Sequence, residues 1–137
     1  TAGWSWRDVA ILIARLVFAG LFLMAVTFKL MGINDTASYI AAAGFPIPLV
    51  LAWLAAALEI ALVLAFLTGA FFTEASLVAA VYVVFLAIAF HGPGRWQASQ
   101  AEFGAFIDHF TFMAGLMFAA VHGPGRKLVL SRIDLLA

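Results

Sequence analysis

Four long apolar stretches dominate the chain, at about residues 8–31, 48–68, 71–91 and 104–122, with short polar or Gly/Pro-bearing connections between them. Each is close to the roughly 20 residues that an α-helix needs to cross a hydrocarbon layer of about 30 Å. The stretches are apolar on every face, so they do not read as surface helices of a water-soluble domain. Membrane barrel strands would show alternating segments of about 10 residues, and no such alternation is present. The pattern predicts an all-α fold: an integral membrane four-helix up-down bundle in one domain spanning 1–137.

The connections add detail. Trp4, Trp6 and Arg7 precede the first helix as an interfacial anchor. That helix is read as a retained span and not a signal peptide, because it is long, carries Arg15 and lacks a clear cleavage site. Gly32 with Asn34 closes it, and the mildly amphipathic run from Asn34 to Gly44 predicts a short helix lying at the interface. Phe45-Pro46-Ile47-Pro48 then launches the second span. The 67–74 turn joins the second and third spans antiparallel, with Thr73 as N-cap and Ser76 nearby. His-Gly-Pro-Gly-Arg occurs twice, at 91–95 and 122–126. It reads as a helix-stop device in which Gly takes the left-handed cap conformation, Pro blocks continuation and Arg reaches the headgroups. In an up-down bundle the two copies fall on opposite sides of the membrane, so they are not expected to form one symmetric site.

Composition reinforces the membrane reading. The chain is 66% hydrophobic and 10% charged, with a mean hydropathy of +1.14, too apolar for a soluble surface. The formal net charge is zero, so no electrostatic footprint for nucleic acid exists. With no cysteine, the chain is neither a thiol–disulfide exchanger nor a holder of c-type haem or a Cys-ligated iron–sulfur cluster. Arg7, Arg126, Lys127 and Arg132 on the side of the termini outnumber Lys29 and Arg95 on the other, which predicts cytoplasmic N- and C-termini.

Against this background the few ionisable residues inside the spans are the candidates for function: Arg15, Lys29, Glu59, Asp108, His109 and, at a helix end, His91. Helical rise puts Arg15 about 10 Å and Glu59 about 13 Å from the same membrane face. A charge at such depth costs at least about 2.5–3.5 kcal/mol if isolated, and a bidentate Arg15–Glu59 pair is the expected relief. Ala52, Ala55, Ala56 and Val63 give Glu59 a small-residue surround suited to close helix contact. Two readings of the pair stand side by side: a device that fixes helix register, or a proton-accepting carboxylate and polar anchor for a quinone-like headgroup.

A second polar layer, towards the other face, comprises Lys29, His91, Asp108 and His109. Gly104, Asp108, Thr111, Gly115 and Ala119 share one small, polar helix face, which points Asp108 into the bundle with Lys29 as its partner. His91, His109, Asp108 and Glu102 are residue types that suit a metal, but the metal-site spacings His-x-x-x-His and Glu-x-x-His are absent, and no metal site is assigned. His122 reads as an interfacial cap; His91 and His122 fall at opposite rims, which does not suit a bis-histidine haem. Phe103, Phe106, Phe110, Phe112 and Phe118 are explained by aromatic packing and lipid contact more simply than by a ligand pocket.

Taken in order, several motifs resemble the DoxX family of small four-helix membrane proteins. They are Ala14-Arg15-Leu16, Phe28-Lys29-Leu30, Ala41-Ala42-Ala43-Gly44-Phe45-Pro46-Ile47-Pro48, Leu58-Glu59, Gly69, a histidine ending the third span, Gly123-Pro124-Gly125-Arg126 and Asp134. The resemblance covers nearly the whole chain. It implies a bacterial-type inner membrane and a link to membrane oxidoreductase systems, including quinone reduction coupled to thiosulfate oxidation and protection against oxidative stress. Arg15, Lys29 and Glu59 carry over best. The chain departs from the family where Ile60-Ala61-Leu62-Val63 replaces the glycines that often follow the glutamate, and where Asp108-His109 stands in place of a cation or amide.

Two functions follow as expectations. One is a redox-linked, quinone-associated subunit binding a headgroup or passing protons near Glu59 and Lys29. With no motif for flavin, nicotinamide, haem or iron–sulfur, it takes electrons from partner chains, and any cofactor is a quinone drawn from the lipid bilayer. The alternative is a non-catalytic structural or assembly subunit packed against other membrane subunits. A transporter is less well supported, since four helices leave little room for a pore and no broken midplane helix is visible.

Overall fold

The computed structural model describes residues 3–130 and 133–136. Among them there are five α-helices and no strand: α1 (Trp6–Met31), α2 (Ile33–Ala42), α3 (Pro48–Thr68), α4 (Phe72–His91) and α5 (Gln100–His122). A short 3-10 turn, Pro93–Arg95, lies between α4 and α5. Helices α1, α3, α4 and α5 are long and apolar enough to cross a membrane, whereas the ten-residue α2 is not. Arg132, counted above for orientation, lies outside the described residues.

The chain divides into two compact units. The first contains the chain up to Phe72 together with 124–130 and Ile133. It opens on a capping box at Ser5-x-x-Asp8: the Ser5 hydroxyl accepts the Asp8 N–H at 3.3 Å, and the Asp8 carboxylate accepts the Ser5 N–H at 2.9 Å. This cap starts α1 two residues before the apolar run, so Trp6 is helical and does not precede the helix. Gly32 both ends α1, donating to the Phe28 and Lys29 carbonyls, and starts α2, so Asn34 lies within α2 and closes nothing.

Packing in this unit follows two stripes. Arg15, Ala19, Phe22 and Val26 recur every three or four residues along α1 and are buried; Ala52, Ala56, Glu59, Leu62, Val63 and Phe66 do the same along α3. Small residues in α3 let the helices approach closely. Phe66 gathers Phe18, Phe22 and Phe72 at centroid distances of 5.4, 6.0 and 5.7 Å. The outward faces stay apolar, with residues such as Ile13, Leu16 and Leu64 more than half exposed, as suits a helix surrounded by lipid. α2 turns Ala37 and Ile40 inward and packs on α3.

The second unit contains Thr73–Gly123 and 134–136. α4 carries a buried stripe of Ala75, Ser76, Ala79, Ala80, Val83, Ala87 and Phe90. α4 begins at Phe72, so Thr73 lies in its first turn and is not its N-cap; Phe71 before it takes a left-handed φ of 51°. α5 begins at Gln100, four residues ahead of its apolar run. Its polar first turn is fastened from outside, since Trp96 sits edge-on to Phe103 and Phe106 at 4.9 and 5.2 Å and donates its indole N–H to the His91 carbonyl at 2.8 Å.

Neither His-Gly-Pro-Gly-Arg copy ends its helix in the left-handed cap conformation. Gly92 has φ −68° and ψ 172°, and Gly123 has φ 83° and ψ 179°. Each glycine precedes a proline, whose ring drives the preceding ψ towards the extended range and disfavours the cap geometry. Glycine is required at both places for different reasons. A Cβ at Gly92 would stand 2.8 Å from the Ile88 carbonyl oxygen, while Gly123 has a positive φ.

Candidate functional site

Glu59 pairs with Lys29, not Arg15: Lys29 Nζ lies 3.0 Å from Glu59 Oε2. The two ends of this pair differ in access. The Glu59 side chain is 1% exposed and the Lys29 side chain 22%. Within the first unit α1 and α3 run antiparallel, because Arg15 meets the end of α3 and Lys29 meets its middle. Helical side chains lean towards their own N-terminus. Arg15 and Glu59 therefore lean apart, and Lys29 and Glu59 lean together.

Arg15 is 2% exposed and, among the described residues, bonds only to carbonyls. Its Nε donates to Phe66 at 3.0 Å, Nη2 to Leu67 at 2.9 Å and Leu128 at 3.0 Å, and Nη1 to Lys127 at 2.9 Å and Pro124 at 3.4 Å. A guanidinium has five N–H donors, and all are used. Two of the acceptors belong to the last turn of α3, where helix carbonyls lack intrahelical partners and a cation is favoured. The other two carbonyls of that turn are also satisfied, Ala65 by the Gly69 N–H and Thr68 by the Leu130 N–H, both at 2.8 Å. Arg15 thus caps α3 and ties the 124–130 segment to it. Spacing of charged residues gives no sign of this, since the acceptors are backbone groups.

The 124–130 segment is held along α1 as well. Arg126 Nη2 lies 3.1 Å from Asp8 Oδ2, and Lys127 Nζ lies 5.6 Å from the centroid of the Trp4 ring. A Cβ at Gly125, which has φ 79°, would fall 2.7 Å from Ile11 Cγ2. Asp8 was not among the expected site residues; its place in a capping box was the available signal.

In the second unit His91 Nδ1 and Glu102 Oε2 are 2.6 Å apart, and the His91 and His109 rings lie 5.0 Å apart between centroids. His109 Nδ1 donates to the Ala105 carbonyl at 2.7 Å, which leaves Nε2 as the acceptor of the neutral ring. The polar first turn of α5 therefore supplies a carboxylate beside His91, and the structure joins His91 and His109 as neighbours. Asp108 is not part of this group. Of the face expected to point inward on α5, Ala119 is buried and Gly115 half-buried, whereas Gly104, Asp108 and Thr111 are exposed, and Lys29, the partner expected for Asp108, is bound to Glu59. Among the described residues no three His, Asp or Glu side chains gather as a metal-ligand set. His122 Nδ1 lies 3.0 Å from the Gly123 carbonyl at the end of α5.

The DoxX family model matches residues 10–92, a stretch that includes Arg15, Lys29, Glu59 and His91 and stops before Glu102, Asp108 and His109. The chain is also 28% identical, over 123 residues, to "Inner membrane protein YphA" of Escherichia coli (strain K12), covering 87% of this chain and 86% of that protein. No solved structure matches the chain.

Proposed function

The chain belongs to the DoxX family, and from that membership we propose that it is a small multi-pass subunit of a redox-linked, quinone-associated system in a bacterial inner membrane, with Lys29 and Glu59 as its polar site. The observation that carries this reading is the unequal burial of the pair: a carboxylate sealed at 1% exposure beside an ammonium that retains 22%. An ionisable pair at membrane depth is costly and points to ligand or proton handling. Lys29 can donate a hydrogen bond to a quinone carbonyl while Glu59 holds the ammonium in place or exchanges a proton with it. Electrons for quinone reduction come from a partner chain. The relative named as an inner membrane protein supports the location, and the cations Arg7, Arg126 and Lys127 support cytoplasmic termini.

The test is binding of a short-chain ubiquinone to the purified protein in nanodiscs, for the wild type and for Glu59→Gln and Lys29→Gln. Each variant is expected to weaken binding about tenfold, the loss of one charge-assisted hydrogen bond. Unchanged affinity in both correctly folded variants overturns the assignment.

A structural or assembly subunit is the second reading. Arg15 favours it, since that buried cation is wholly engaged in holding backbone together. On this reading Glu59→Gln lowers recovery of partner subunits in mild detergent and leaves quinone turnover per assembled complex unchanged.

A further inference from the structure

The first unit gathers cations and aromatic rings around the start of α1. Arg7 is exposed, with its guanidinium carbon 4.8 Å from the Trp6 ring centroid. Arg126 is 64% exposed in its side chain and reaches Asp8 with one nitrogen, and Lys127 stands over the Trp4 ring. Trp4 and Trp6 are themselves 51% and 71% exposed. Three cations and one carboxylate, which only Arg126 is seen to contact, thus give a local charge of +2 at the end of a long apolar helix.

This grouping comes from two distant parts of the sequence. Arg126 and Lys127 reach α1 because Arg15 holds the carbonyls of Pro124, Lys127 and Leu128, and because Gly125 permits contact with Ile11. Exposed indole rings favour the headgroup level of a bilayer. Clustered Lys and Arg side chains there attract acidic lipids, and guanidinium groups match phosphate oxygens geometrically.

We infer that the first turn of α1 and the 124–130 segment form a binding face for the phosphate of an anionic phospholipid, with Arg7, Arg126 and Lys127 as its cations and Arg15 as the positioning residue. Trp4 and Trp6 set the depth of the lipid's glycerol region. Asp8 keeps Arg126 beside α1 while leaving its remaining N–H groups for phosphate.

Native mass spectrometry of the purified protein, titrated in detergent with equal amounts of phosphatidylglycerol and phosphatidylcholine, tests this. The wild type is expected to retain phosphatidylglycerol preferentially. Neutralising one cation, as in Arg7→Gln or Lys127→Gln, is expected to weaken that retention about fivefold, and the triple variant with Arg126→Gln to abolish the preference. Gly125→Ala keeps every charge but displaces the segment from Ile11, and it too is expected to reduce the preference. Equal retention of the two lipids by the wild type, or an unchanged preference in the folded triple variant, overturns the proposal. So does suppression of phosphatidylglycerol retention by equimolar inorganic phosphate, which would mark a site for the free anion.

Discussion

Arg15 and Glu59 are both buried, lie on facing helices of one unit, and carry opposite charges, yet the structure keeps them apart. Arg15 is closed: its five donors end on five carbonyls, and its cationic group doubles as the cap of α3. Glu59 instead shares a carboxylate oxygen with a lysine that is still partly exposed. The difference follows from donor chemistry. A planar guanidinium can satisfy several fixed carbonyls at once, whereas a carboxylate only accepts, and around the mid-helix Glu59 the backbone N–H groups are spent within the helix, so Lys29 supplies a donor. Burial of a charge in an apolar helix therefore does not by itself mark function; what matters is whether its partners leave any part of the group reachable.

The sharpest way to break this comparison is Arg15→Met. It orphans the Phe66 and Leu67 carbonyls and releases the 124–130 segment, so unfolding free energy from reversible detergent denaturation should fall by about 4 kcal/mol or more. Arg15→Lys, with three donors in place of five, should recover only part of that loss. If Arg15→Met is as stable as the wild type, the carbonyl cage is not a fold-holding element.

A smaller effect separates the two halves of the second pair. Lys29→Met leaves the Glu59 carboxylate without its ammonium and should cost about 3 kcal/mol. The double variant Lys29→Met/Glu59→Leu removes the stranded charge as well and should be more stable than Lys29→Met alone. A double variant no better than the single one would mean that the two side chains do not act as a pair.

The spans were legible because membrane helices are apolar all round, so runs such as Pro48–Thr68 coincide with the helix itself. α2 was legible for a related reason: Ala37 and Ile40 give it one apolar face. Helix starts were less visible, since Ser5 and the polar turn from Gln100 to Phe103 stand outside the apolar runs that mark spans. The charges inside the spans stand out in the sequence, but the pairing of Glu59 with Lys29 does not. Depth along a helix locates the Cα atom, whereas Arg15, Lys29 and Glu59 each project several ångströms towards their own N-terminus. The least legible feature is the 124–130 segment. It has no periodicity, and its role rests on carbonyl groups that every residue possesses.

That segment also supplies the finest contrast, between two arginines that hold it. Arg15 binds it from inside, with no exposed donor to lose; Arg126 binds Asp8 at the surface, with 64% of its side chain exposed. Water, lipid headgroups and salt compete for Arg126 but not for Arg15, and the buried Asp8 carboxylate keeps the Ser5 N–H and hydroxyl as donors when Arg126 is lost. Arg126→Gln is therefore expected to leave the thermal unfolding midpoint unchanged in neutral detergent at physiological salt, under conditions where Arg15→Met is severely destabilised. A comparable loss in both variants would show that the segment is held as much by its surface contacts as by the buried guanidinium, and Arg15 would no longer stand apart as the organising charge.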